Sequence, residues 1–265
     1  MAARRRLDAE LVRRGLVTSR NEAQAAVAAG LVTVSGHSAT KPASLVSPDE
    51  PLNVTAQPRR FVSRGGEKLR AALDRFGIHP TGRDCLDAGA STGGFTDCLL
   101  RAGAGRVIAV DVGYGQLAWE LRTDPRVIVL ERTNARHLHP GDLPFAAGLV
   151  VADLSFISLK AVLPALSRVA IPDAEAVLLV KPQFEAGPDH VGRGGVVRDP
   201  LVWRRVLGDV ADACRGSGIG VVAVMVSPLL GPAGNVEFLL YGRKGKQDAS
   251  LDFDASVAEG EMLRR

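Results

Sequence analysis

The sequence predicts an α/β protein, a doubly wound, mostly parallel seven-stranded sheet preceded by a small basic α/β module. Three observations predict it. From residue 83 onward, short apolar runs alternate with helical stretches, the sequence form of a parallel sheet covered on both faces. Several of those runs end in a charged residue, where ligands of such sheets bind. The basic charge is concentrated at the front: residues 1–70 hold 12 Lys/Arg and 6 Asp/Glu, the remainder 21 and 23. A basic segment before a near-neutral body suggests a polyanion-binding module joined to something else.

The bulk properties agree. The chain has 265 residues, 46% hydrophobic and 23% charged, enough to bury a sizeable core. Cys85, Cys98 and Cys214 are odd in number and lack metal-ligand spacing, so reduced thiols in a cytoplasmic protein are expected and no metal. No apolar stretch follows the basic N-terminus, and runs such as VVAVMV fall far short of the ~18 residues that span a bilayer.

Taken in order, Leu7, Leu11 and Val12 predict a short amphipathic helix that Gly15 can end. Thr18 or Ser19 can cap a second, running through EAQAAVAA to Gly30. Val32 and Val34 alternate with polar residues before a turn at Ser35–Ser38, and strand-like residues recur at Leu45–Val46 and Leu52–Val54. This pattern, fronted by six arginines, resembles the αL-type RNA-binding module named after ribosomal protein S-four. The expected domains are 1–58 for this module, 59–63 for a linker, 64–246 for the sheet domain and 247–265 for a tail.

After the linker, RGGEKLRAALDRFGI takes helical period, with Leu69, Ala72, Leu73 and Phe76 on one face and Lys68 in the first turn. Strands are expected at Asp84–Asp87, Arg106–Asp111, Val127–Leu130, Leu149–Ala152, Glu175–Val180, Gly220–Val226 and Glu237–Gly242.

Between the first strand and its helix lies CLDAGASTGG, a glycine-rich turn that lets a ligand approach bare backbone. It is not the dinucleotide fingerprint, because Ser91 stands where the second glycine is required. The bland alternative is a well-packed turn that binds nothing. Asp111, 24 residues after Asp87, ends the second strand, where an acid can accept both ribose hydroxyls. Asn134 lies just past the third strand, placed to read an adenine edge. This set fits an adenosine ligand with little phosphate, such as S-adenosylmethionine. Expected cofactor contacts are Asp87, Gly89, Ser91, Gly93, Gly94, Phe95, Asp111, Asn134 and Phe156.

The fourth strand ends in Asp153, the fifth in Lys181, and Glu237 opens the last. Each alone reads equally well as half of a structural salt bridge. Together with Lys68, and with SRGGEKL, LDAGASTGGFTD, AVDVGYGQLAW, ERTNAR, ADLSFISL, LVKPQFE and GPAGNVEF in that order, they resemble the TlyA family. Those proteins are ribosomal RNA 2′-O-methyltransferases with an FtsJ-like, Rossmann-like class I methyltransferase domain. The resemblance covers almost the whole chain. It implies a catalytic tetrad of Lys68, Asp153, Lys181 and Glu237, and a linker motif met here by Arg59-Arg60-Phe61-Val62. It also implies a cytidine target in helix 69 of 23S rRNA, and in helix 44 of 16S rRNA for members with a fuller N-terminus, with capreomycin or viomycin sensitivity linked to it.

A ribose 2′-hydroxyl is a poor acid, so a base or cation must help it lose its proton. Lys181 is the expected base, Asp153 and Glu237 would orient the lysines, and Lys68 would steer the hydroxyl. Arg4, Arg6, Arg20, Arg59, Arg132 and Arg136 are expected to meet RNA phosphates. Phe156 could stack on cofactor or an unstacked base, or be core. The expected partners are ribosomal RNA and the 50S and 30S subunits, with the enzyme a monomer and no membrane involved. Two rival readings are a non-catalytic assembly factor and a haemolysin-like membrane-active protein. A nicotinamide dehydrogenase is disfavoured by Ser91.

Overall fold

The computed structural model describes residues 4–17, 19–55 and 60–264. The chain divides into two compact units, Met1–Arg59 and Arg60–Arg265.

In the first unit a two-residue strand β1 (Arg5–Arg6) leads into α1 (Leu7–Arg13), and α2 (Arg20–Ala28) follows. Ser19 caps α2 by accepting from Glu22 N at 3.2 Å; the alternative cap, Thr18, lies outside the described residues. β2 (Val32–Val34), β3 (His37–Ser38), β4 (Leu45–Val46) and β5 (Leu52–Val54) complete the unit. β2 pairs antiparallel with β3 and β5, and β1 with β4. The expected four-residue turn is narrower: Ser35 and Gly36 both have positive φ, the signature of a two-residue hairpin loop, which frees His37 and Ser38 to join the ladder. Leu7, Leu11, Ala23, Val27, Val32 and Val46 form the core.

The second unit begins with chain that sequence reading assigns to a linker. Here Phe61 is buried, Val62 N donates to Asp97 Oδ2 at 2.9 Å, and Ser63 caps α3 (Arg64–Phe76). Gly66 is required, because a Cβ there would lie 2.3 Å from the Phe61 ring. There follow β6 (Asp84–Ala88), α4 (Gly94–Arg101), β7 (Arg106–Val110), α5 (Trp119–Arg122), β8 (Val127–Leu130), β9 (Ala147–Ala152) and α6 (Leu159–Arg168). Then come β10 (Ala170–Val180), α7 (Pro182–Glu185), α8 (Pro200–Gly216), β11 (Ile219–Val226), β12 (Phe238–Lys244) and α9 (Phe253–Arg264).

The seven strands lie in the order β11-β12-β10-β9-β6-β7-β8, and only β12 runs antiparallel to its neighbours. Leu86, Ala88, Ile108 and Val110 face the core packed by α6 and α8. Cys85, Val107 and Ala109 face the opposite core, packed by α3 and α4. The chain reverses direction across the sheet between β6 and β9, the switch point where a crevice opens beyond the strand ends. The segment expected as a tail contains α9, which packs on α8 and β11 and sends Val257 into the core.

Candidate active site

The glycine-rich turn sits at that switch point. Gly89, Ser91 and Gly93 all have positive φ. Packing alone demands the glycines: a Cβ at 89 would lie 2.5 Å from the Asp153 carbonyl oxygen, at 93 it would lie 2.2 Å from Leu121, and at 94 2.1 Å from Ser63 Oγ. Their presence is therefore no mark of a ligand, and that case rests on the acids around them.

Asp87 is fully buried. Its Oδ2 accepts from Thr96 Oγ1 at 2.6 Å, whereas Oδ1 has no partner among the described residues. Burial, then the nearby charges of Asp153 and Asp111, push its carboxyl up to about 7. A buried acid with an open oxygen is a poor structural element and a good receptor for a cationic group. Asp111 follows β7 and accepts from Ser91 N at 2.8 Å and Gly113 N at 2.7 Å. It lines a narrow cleft whose apolar walls include Ala90, Leu117 and Val129. Thr133 N donates to the Asp111 carbonyl at 2.9 Å and so fastens the ERTNAR loop to the same strand end. Asn134 is exposed there and caps a short 3-10 turn by accepting from Arg136 N at 3.0 Å. Phe95 is different: its side chain belongs to the core between α3 and α4, against Gly65, because the first turn of α4 packs there. A cofactor contact is expected of Phe95, and its ring is not available for one, the residue being 3% exposed.

The four tetrad residues come from α3, the ends of β9 and β10, and the residue before β12. Val180 pairs with Phe238 in the β10–β12 ladder, so the next step along that register sets Lys181 beside Glu237. The tetrad resolves into two ion pairs. Lys68 Nζ lies 2.5 Å from Glu237 Oε2, with side chains only 7% and 1% exposed. Lys68 is the fifth residue of α3, one position past the first turn where it is expected, since Ser63 is the cap. Glu237 Oε1 has no partner among the described residues, and Gly231 leaves room for it: a Cβ there would come within 2.5 Å. Lys181 Nζ lies 2.6 Å from Asp153 Oδ1, with side chains 12% and 24% exposed. That contact lacks the alignment of a hydrogen bond, and the aligned acceptor is Ser155 Oγ at 2.9 Å.

Phe156, with φ of 63°, is 92% exposed and tilts against Phe184 at 5.2 Å between centroids. A bulky residue in that conformation is strained, and such strain clusters at ligand sites. Arg132, also at positive φ, lies over the Tyr114 ring at 4.4 Å, and Arg136 is exposed. In the first unit Arg4 is exposed, whereas Arg6 and Arg20 share Asp8, at 2.8 and 3.8 Å. Arg59 lies outside the described residues. Cys85, Cys98 and Cys214 are buried thiols that burial pushes up to about 12.

Several residues that organise the site escape sequence reading. Asn235, two before Glu237, accepts from Val197 N and donates to the Gly195 carbonyl, both at 2.9 Å. Glu185 accepts from Ser158 Oγ at 2.5 Å and Leu159 N at 2.6 Å, tying the start of α6 to α7. The signal available for both was membership of the GPAGNVEF and LVKPQFE runs.

Comparison with known proteins finds relatives of both units. The FtsJ-like methyltransferase family matches residues 61–244, and the S4 domain matches residues 5–52. The 16S/23S rRNA (cytidine-2′-O)-methyltransferase TlyA of Mycobacterium tuberculosis is 55% identical over an alignment of 259 residues that covers 94% of this chain and 97% of that one. YqxC of Bacillus subtilis is 46% identical over 239 residues, 89% of this chain and 84% of that one. A solved structure of a Streptococcus thermophilus protein named as a hemolysin aligns with a TM-score of 0.76 at 36% identity, covering 99% of this chain and 98% of its own. The chain belongs to the FtsJ-like methyltransferase family and, within it, to the TlyA proteins.

Proposed function

We propose that this protein is a ribosomal RNA 2′-O-methyltransferase that uses S-adenosylmethionine and acts on the ribose of a cytidine. The observation that carries the reading is the meeting of Lys68, Asp153, Lys181 and Glu237 at one sheet edge as two ion pairs. The cofactor fits the residues present. Asp87 offers its open oxygen to a cationic tail, Asp111 offers a carboxylate to ribose hydroxyls, and the walls at Ala90, Leu117 and Val129 suit an adenine ring. When bound, S-adenosylmethionine supplies a methyl group made electrophilic by its sulfonium.

The chain then has two tasks, alignment and proton removal. Alignment is worth on the order of 7–11 kcal/mol in favourable cases. Lys181, the more accessible lysine, takes the proton of the 2′-hydroxyl as a free amine, after its own extra proton has passed to solvent, with Asp153 and Ser155 aiming its Nζ. Lys68, held by Glu237, steers the hydroxyl oxygen. A 2′-hydroxyl exists only on RNA, which suits the S4 domain at the front. We assign helix 69 of 23S rRNA as the main target and helix 44 of 16S rRNA as a second, so that loss of the protein would reduce capreomycin and viomycin sensitivity. Arg4, Arg6, Arg20, Arg59, Arg132 and Arg136 are assigned to phosphates, and Phe156 to stacking on cofactor or base. The enzyme acts in the cytoplasm as a monomer.

The test uses 30S and 50S subunits from cells lacking the activity, radiolabelled S-adenosylmethionine and a Lys181→Ala control. Methylation is mapped by reverse transcription at low dNTP. Label in 50S, or in both, supports the enzyme and fixes its range. No label in either, with RNA still bound, favours an assembly factor instead. Among the described residues no helix is long and apolar enough to cross a membrane, and liposome leakage by pure protein at low dose would revive a haemolytic reading.

A further inference from the structure

Many arginines of the second unit are already engaged, although Arg64, Arg75 and Arg136 are exposed with no side-chain partner among the described residues. Arg83, Arg101, Arg106, Arg122, Arg126 and Arg215 each hold a carboxylate. Against that background the loop between α7 and α8 stands out. Arg193 and Arg198 are exposed, and neither side chain has a hydrogen-bonding or ionic partner among the described residues.

The loop that carries them is nonetheless fixed. Asn235 grips the Gly195 carbonyl and Val197 N, Trp203 Nε1 donates to the Val197 carbonyl at 3.0 Å, and Arg205 reaches the Ala186 carbonyl at 3.2 Å. A bridge between Gly192 and Val196 closes the tip, with Gly194 and Gly195 at positive φ. Arg193 sits on that tip. The Arg198 guanidinium lies beside it, 3.7 Å from where a Cβ on Gly192 would stand. The loop leaves the carboxyl edge of the sheet directly after Lys181 and α7, and its base is held two residues from Glu237.

We propose that the 187–198 loop is a preformed cradle for RNA phosphates next to the target nucleotide, with Arg193 and Arg198 as its two cationic contacts. The proposal rests on the rRNA reading above and extends it to a segment that reading leaves unused. Three physical points carry it. An arginine without an internal partner meets a phosphate without first breaking an ion pair, and its planar fork suits bidentate contact. A loop fixed by side-chain clamps loses little entropy when it binds. Its anchorage to the Glu237 segment couples the phosphate position to the tetrad.

The experiment measures binding of 50S subunits lacking the modification, as a function of salt, together with steady-state methylation. It uses Arg193→Gln, the double variant with Arg198→Gln, and Arg193→Lys. Removing both cationic side chains should flatten the slope of log K against log salt by about 1.4–1.8. The double variant should raise KM for subunits at least tenfold, leave kcat within about threefold, and leave cofactor binding by equilibrium dialysis unchanged. Arg193→Lys keeps the charge and should keep the salt slope. A double variant with wild-type slope and KM, in a protein that methylates 50S normally, overturns the cradle and leaves the rRNA reading intact. If the wild-type protein neither binds nor methylates subunits, the rRNA reading fails and the cradle fails with it.

Discussion

The front unit and the candidate site of the catalytic unit both bury carboxylates, and they treat them in opposite ways. In the front unit Asp8 accepts from Arg6 at 2.8 and 3.1 Å and from Ala9 N at 2.8 Å. Glu10 accepts from Arg13 at 2.5 and 2.8 Å and from Arg14 at 2.8 Å. Arginine hydrogen bonds hold both acids down at about 2. In the catalytic unit Asp87 is pushed up to about 7, and Asp87 Oδ1 and Glu237 Oε1 lack partners among the described residues. A saturated buried acid is a lock, because every lone pair that could serve a ligand serves the fold. An acid with an open oxygen costs stability and keeps binding capacity. The difference sorts the basic residues too. Arg6 and Arg20 are both engaged by Asp8, whereas the side chains of Arg193 and Arg198 have no such partner among the described residues.

The strongest way to break this contrast is to remove the tetrad lysines one at a time. Lys181→Ala should slow methyl transfer by about 10²–10⁴-fold, read in single turnover. It should leave the melting temperature nearly unchanged, because Asp153 remains partly solvated. Lys68→Ala should do the reverse in stability. It strands a Glu237 carboxylate that is 1% exposed, at a cost of about 3–5 kcal/mol in urea unfolding. The apolar double variant Lys68→Met with Glu237→Leu should recover most of that loss without recovering activity. Equal destabilisation by Lys181→Ala and Lys68→Ala would mean that the two pairs are one structural unit.

Much of this architecture is legible in the sequence, and the limit has a physical basis. The strands of the sheet announce themselves because each holds a short apolar run and several end in a charged residue at the crevice, as at Asp87, Asp111, Asp153 and Lys181. What stays hidden depends on contacts between distant segments. Nothing local says that Lys68 pairs with Glu237 while Lys181 pairs with Asp153, since the β10–β12 register sets Lys181 beside Glu237 and the observed pairs depend on α3 reaching Glu237 and on β9 lying beside β10. Asn235, Glu185 and Ser155 are unremarkable polar residues until the fold brings up Val197, Ser158 and Lys181. The helix α9 reads as a tail because a single buried large aliphatic, Val257, marks its inner face, and its small inner residues Ser256 and Gly260 carry no hydrophobic signal.

The two kinds of acid should also give opposite pH slopes. The unfolded chain ionises Asp87 near 3.9, but the folded chain holds that proton until about 7. Between those values the unfolded state binds fewer protons, so Asp87 makes stability fall as pH rises from about 4 to 7 and then level off. Asp87→Asn should flatten that fall and raise stability at pH 7.5 by on the order of 1–3 kcal/mol, read from urea midpoints at pH 4.5 and 7.5. Asp8 and Glu10 have depressed values, so their contribution is complete above about 4 and is lost as pH falls toward 2. Glu10→Gln should therefore weaken the front unit at pH 7 and have little effect at pH 2.

The smallest effect expected is the most specific. Lys181 Nζ has a charge contact with Asp153 and an aligned hydrogen bond with Ser155 Oγ at 2.9 Å. The carboxylate supplies attraction, which depends weakly on angle, and the hydroxyl supplies direction, which depends on it strongly. Ser155→Ala keeps the charge balance and removes the aim. One hydrogen bond is worth about 0.5–1.5 kcal/mol, so methyl transfer should fall roughly 2- to 12-fold. Binding of cofactor and subunits should hold, and the fall should appear in kcat rather than KM. In a Lys181→Ala background the same substitution should do almost nothing, because the ammonium group it orients is gone. An equal loss in both backgrounds would place Ser155 in the support of the Asp153–Phe156 turn instead, and the aiming of Lys181 would then belong to Asp153 alone.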